Sequence, residues 1–166
     1  MSMEDSVAAL FVALAGYFAV LGILGIVAYV ITSLAFFRLG KSQNNSHAWF
    51  AWIPILNGYL MGELIGDKVK LFNWIIPSAK WILVFAGLAV SITQSLFTSG
   101  ALSFIPVVVS IAVLIYTIAA FYRLFNLYKP ESAVLYTVLY FVLTFTIVGP
   151  AIFLLLISKN QPQEYL

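Results

Sequence analysis

The sequence predicts an all-α integral membrane protein with four transmembrane helices plus a short re-entrant or interfacial helix. Three observations lead there. Only 14 of the 166 residues are Asp, Glu, Lys or Arg, or 8%, where a soluble domain carries about 25%. Apolar residues make up 63%, against a usual value of about 45–50%, and the mean hydropathy is +1.06. The few charges also fall in clusters, with long uncharged runs between them. A soluble domain of this composition would expose apolar patches large enough to aggregate. Disorder is excluded, because it requires low hydrophobicity and high charge.

The uncharged runs mark the spans within a single membrane domain, 1–166. Residues 6–37, 42–62, 81–122 and 132–158 contain no Asp, Glu, Lys or Arg. A membrane helix needs roughly 20 apolar residues, since the hydrocarbon core is about 30 Å thick. The first span is therefore expected at about 7–37. Glu4 and Asp5 precede it, where a cleavable signal peptide would carry Lys or Arg. The run of 42 uncharged residues, 81–122, is long enough for two spans, about 81–97 and 101–122, joined by a turn at Thr98-Ser99-Gly100. The last span is expected at about 133–157, with Gly149-Pro150 kinking it.

The segment 48–80 is the ambiguous element. Ala48–Gly66 reads AWFAWIPILNGYLMGELIG, which is long enough to cross but carries Pro54, Asn57 and Glu63. An ionisable residue inside a membrane helix costs about 2.5–3.5 kcal/mol on the insertion scale. Ile53 precedes a proline, a position that disfavours helical backbone. A break is expected at Trp52-Ile53, with Pro54 opening a short helix. Five spans, with 48–66 crossing, is the alternative.

Lys and Arg arbitrate, because they collect on the cytoplasmic side. If 48–80 does not cross, Arg38, Lys41, Lys68, Lys70, Lys80, Arg123 and Lys129 share one side and only Lys159 lies opposite. If 48–66 crosses, the split becomes 3 to 5. The four-span arrangement puts the N-terminus outside and loops 38–47 and 123–132 in the cytoplasm. Arg38 and Arg123 then anchor helix ends by snorkelling. Trp49, Trp74 and Trp81, with Trp52, form an aromatic belt on the same interface.

Two patterns concern packing. Gly58, Gly62 and Gly66 recur every four residues, a spacing that lets two membrane helices approach closely. Residues 32–39 read TSLAFFRL and residues 117–124 read TIAAFYRL, which suggests a tandem repeat over 32–48 and 117–133.

The search for chemistry is mostly negative. His47 is the only histidine and there is no Cys, so no His- or Cys-based metal cluster and no Cys nucleophile exists. Gly66-Asp67 has the last two letters of an intramembrane aspartyl-protease motif. The only other Asp is Asp5, so the paired carboxylates that such chemistry needs are missing. No catalytic residue, metal site or cofactor is assigned. Glu63 is the residue to watch, because an acid at membrane depth signals a proton, cation or ligand site. With Asn57, Trp52 and Tyr59 it forms a candidate ligand-binding set.

The pattern A-W-x-x-W-I-P-x-x-N-x-Y-x-x-G-E over Ala48–Glu63 resembles a family of small bacterial polytopic membrane proteins without an established activity. Tyr128–Asn160 is similar to the final span of that family. The resemblance implies membrane location and architecture, and transfers no catalytic residue. The function expected is an accessory or interaction subunit acting by helix packing on another membrane protein or on itself. The alternative is a small transporter, channel or ligand-binding protein with a cavity near Glu63. The expected partners are the lipid bilayer and other membrane helices, and a net charge of +2 carries no nucleic-acid signal.

Overall fold

A computed structural model describes residues 3–97 and 99–162, with side chains from residue 5 onward. Thr98, the first residue of the expected turn between the second and third spans, lies outside the described residues. The chain is helical apart from one small hairpin. Helix α1 covers Met3–Ser42, α2 Leu56–Leu64, α3 Ala79–Leu96, α4 Ile105–Tyr128, α5 Ala133–Leu143 and α6 Gly149–Ile157. Short 3-10 turns occupy Ala48–Trp52 and Pro130–Ser132. Strands β1 (Lys68–Leu71) and β2 (Trp74–Pro77) pair antiparallel, Val69 opposite Ile76.

Three helices, α1, α3 and α4, are long and apolar enough to cross a membrane. At about 1.5 Å per residue they measure roughly 60, 27 and 36 Å. Their outward faces are apolar, as at Phe11, Leu88 and Val108. That distribution suits a hydrocarbon solvent.

Segment 48–66 forms no crossing helix. Ile53 takes extended backbone (φ −113°, ψ 114°), as expected of a residue before proline. The break expected at Trp52-Ile53 is therefore present. Pro54 does not open α2, however: the chain makes one turn in which the Leu56 and Asn57 amides both donate to the Ile53 carbonyl (2.9 and 3.1 Å). Helix α2 then has nine residues, about 14 Å.

The sequence gives no warning of β1 and β2, whose hairpin is an addition to the expected all-α fold. Lys68-Val69-Lys70-Leu71 alternates polar and apolar, and Val69 is fully buried against the helices. The two-residue turn lacks glycine. Phe72 takes a left-handed φ of 51°, a conformation uncommon for a residue with a bulky side chain.

The last uncharged run also differs from the expected single span. It is broken at 144–148 into α5 and α6, and α6 returns alongside α5. A continuous helix from residue 133 would carry Asn160 about 40 Å away. Instead Asn160 and Gln161 line the same cavity as Lys129, Pro130 and Glu131. The rings of Tyr136 and Phe153 stand 5.2 Å apart, and Phe153 also meets Phe125 of α4 at 5.9 Å. The physical reason lies at Val148-Gly149-Pro150. Proline is pre-organised for the first turn of a helix as well as disruptive inside one, and here it stands in the first turn of α6. Thr144 and Thr146 hydroxyls bond back to the Phe141 and Leu143 carbonyls, the second at 2.7 Å. They satisfy acceptors that the end of α5 leaves open.

The return of α6 reverses the expected position of Lys159. All eight Lys and Arg residues now gather at one end of the molecule, which also holds the core. Leu39, Leu60, Leu64, Leu124, Phe125 and Leu154 are buried there together. Between residues 7 and 27 no residue of α1 is buried; its packing on the rest of the chain comes from its last turns, against the 3-10 turn, α2 and α6.

Candidate functional site

The basic end is built where four chain segments meet. After α1 the chain turns at Asn44, which takes a left-handed φ of 52°, a region that Asn tolerates better than most residues. Asn45 then donates from Nδ2 to Glu63 Oε2 (3.0 Å), and the His47 ring nitrogen Nδ1 lies 3.2 Å from the same oxygen. The Glu63 side chain is 17% exposed and that of His47 43%. So Glu63, the acid that would mark a site if it lay at membrane depth, is held by the polar loop after α1.

Aromatic rings continue outward from His47. The imidazole stacks on Phe50 (5.0 Å, 28°) and meets Tyr59 edge-on at 6.0 Å. Tyr59 contacts Trp81 at 5.3 Å, and Trp81 stacks on Phe85 at 6.0 Å. Lys80 Nζ stands 5.5 Å from the centre of the Tyr59 ring, within cation–π range. Trp49, Trp52, Trp74 and Trp81 are all exposed, as interfacial rings are.

Only part of the candidate ligand set converges. Glu63 and Tyr59 share His47 as a neighbour. Among the described residues, no hydrogen bond or ring contact joins Trp52 or Asn57 to Glu63. The Trp52 carbonyl instead accepts from the Tyr29 hydroxyl of α1. Asn57 Oδ1 is buried without a partner.

Two of the three seam glycines bring α2 against α3. A Cβ on Gly62 would lie 2.2 Å from Lys80 Cα, and one on Gly58 would lie 2.9 Å from the Leu83 carbonyl carbon. Gly66 has a different task. It is exposed, takes φ +76° and turns the chain out of α2, a position that suits glycine.

Arg38 and Arg123 occupy matching places in the two similar stretches but differ in surroundings. Arg38 is exposed, whereas Arg123 Nε donates to the Ile65 carbonyl at 2.6 Å. That carbonyl lies just past the end of α2, so Arg123 ties α4 to it.

Several structural residues carry no obvious mark in the sequence. Asp67, at φ +54°, bonds through Oδ1 to the Lys80 amide in the first turn of α3 (3.0 Å). Its Oδ2 lies 3.6 Å from Lys80 Nζ. It thus caps a helix that Ser78 leaves uncapped, and its charge suits the positive end of the helix dipole. Tyr128 closes the end of the bundle: its hydroxyl lies 3.1 Å from Ser42 Oγ and accepts from Gln43 Nε2 (3.2 Å). A polar residue thirteen or more positions from its partner leaves no local pattern to read.

Chemically, the arrangement provides one helix cap, an aromatic cluster and two hydrogen-bonded carboxylates, Glu63 and Asp67. Among the described residues, no three metal-ligating side chains come together. The class so defined is a small helical protein with three candidate spans and one basic, aromatic end. Among protein-family models, curated proteins and solved structures, none matches the chain.

Proposed function

We propose that the chain is an integral protein of the bacterial cytoplasmic membrane, related to the small polytopic family its Trp/Pro/Asn segment resembles. In this reading the N-terminus lies outside and the basic end faces the cytoplasm. Its role is that of an accessory or interaction subunit working by helix packing. One observation carries the reading. Among the described residues, a stretch of α1 long enough to cross the bilayer, 7–27, has no residue buried against the rest of the chain. Gly16, Gly22 and Gly25 have open space where a Cβ would stand, so small residues on α1 are free to meet a second helix closely. Gly58 and Gly62, by contrast, are already used inside the molecule.

The alternative, a ligand or transport site at Glu63, has weaker support, because Asn45 and His47 already bond that carboxylate. The test is association in mild detergent, followed on native gels and by pull-down from membranes. Gly22→Leu and Gly25→Leu are expected to weaken association with a partner or a second copy several-fold, with helix content unchanged. Unaltered association in both variants would contradict the proposal.

A further inference from the structure

We propose that the groove between α3 and α4 holds an acyl chain of an anionic phospholipid. The groove has a volume of about 430 Å³ and is lined by Ile82, Ala86 and Ala89 of α3, Ala112 and Tyr116 of α4, and Leu71 of the hairpin. Ligand pockets run from about 300 to 1,000 Å³. The alanines leave the cleft between the two helices, and β1 and β2 close it at the basic end.

The occupant follows from position and charge. The walls belong to two candidate spans, so the fluid around the groove is hydrocarbon. Tyr116 is buried to 7% exposure, and its ring completes the wall on the α4 side.

Seven residues further along the same helix, Arg123 lies about 10.5 Å away on nearly the same face. Among the described residues it has no carboxylate partner, and its Nη2 faces the turn at Gly66. Lys68 and Lys70 are exposed on β1, the strand that packs on α4. The headgroup layer is about 5–8 Å thick on each side of the core. Cations at the level of Arg123 and β1 therefore meet phosphate, and the alanines deeper along α3 and α4 meet the chain. The paired Lys residues favour an anionic headgroup.

The test uses the full chain in detergent, titrated with phosphatidylglycerol and separately with phosphatidylcholine, with retained lipid counted by native mass spectrometry. The wild type is expected to retain one phosphatidylglycerol in preference to phosphatidylcholine. Ala112→Trp, which fills the groove, is expected to abolish that retention. Ala89→Leu serves as a second filling variant should Ala112→Trp lose helix content. Equal retention by the wild type and a folded groove-filling variant would overturn the proposal, as would equal retention of the two lipids. The proposal rests on the membrane reading, whose separate failure would show as a protein that stays in solution without detergent.

Discussion

The rings of Tyr136 and Phe153 meet with centroids 5.2 Å apart, one near the start of α5 and the other at the middle of α6. The contact requires the chain to turn back on itself between them. It makes a helical hairpin of a run that has the length and composition of a span. It also returns Lys159 to the end that holds the other seven cations. A charge split of seven to one becomes eight to none, which fits the positive-inside rule more closely than the expected four-span arrangement does.

The tight crossing of α2 on α3 gives a stability prediction. Gly62→Ala places a methyl 2.2 Å from Lys80 Cα, against backbone that cannot move aside cheaply. Overpacking of this kind costs about 1–3 kcal/mol, which exceeds the gain of about 1 kcal/mol from alanine's helix propensity. Thermal unfolding in detergent, followed by circular dichroism, is expected to show a lower Tm. Gly22→Ala, with nothing within 4 Å, is expected to leave Tm level or slightly raised. A Gly62→Ala protein as stable as the wild type would refute the close crossing.

Asp67 gives a second. Its side chain is about one-third exposed, at 35%, so the ion pair with Lys80 contributes little and the helix cap dominates. Asp67→Ala is expected to cost about 1 kcal/mol, as losing a cap does. Asp67→Asn keeps an acceptor and is expected to lose less. The measurement is denaturant or thermal unfolding of both variants, and an equal loss in the two would shift the role from the cap to the charge.

Arg123 and Arg38 test whether the two similar stretches do the same work. Arg123→Met removes a charged hydrogen bond to the Ile65 carbonyl, a loss of about 1.5–3 kcal/mol. Arg38→Met, at an exposed site, is expected to change stability by less than about 0.5 kcal/mol. Similar losses at the two positions would mean that both arginines are helix anchors of one kind.

Much of this architecture is legible in the sequence, for physical reasons that can be named. Charges are costly in hydrocarbon, so their absence outlines α1, α3 and α4. The residue before Pro54 must leave helical backbone, so the break at Ile53 is visible. Other features are hidden because their cause is tertiary. Gly149-Pro150 is compatible with a kink or with a new helix, and packing on α1 and α4 decides. The glycine seam shows a face but not whether α3 or another protein fills it. The hairpin at Lys68–Pro77 hides because Phe72, not glycine, occupies its left-handed turn position. Glu63 stands out as an acid near apolar residues, yet its partners Asn45 and His47 lie 18 and 16 positions away.

We propose that the three candidate spans cross the membrane and that the segment 133–157 enters and leaves on one side. The sequence contains no cysteine, so single substitutions report position without a background. Ser46→Cys, Ser99→Cys and Asn160→Cys are to be labelled in intact cells with a membrane-impermeant maleimide, and again after the membrane is opened. The three-span account expects Ser99→Cys to react in intact cells, and Ser46→Cys and Asn160→Cys only after opening. Labelling of Asn160→Cys from outside, with Ser46→Cys protected, would contradict it and restore a fourth span.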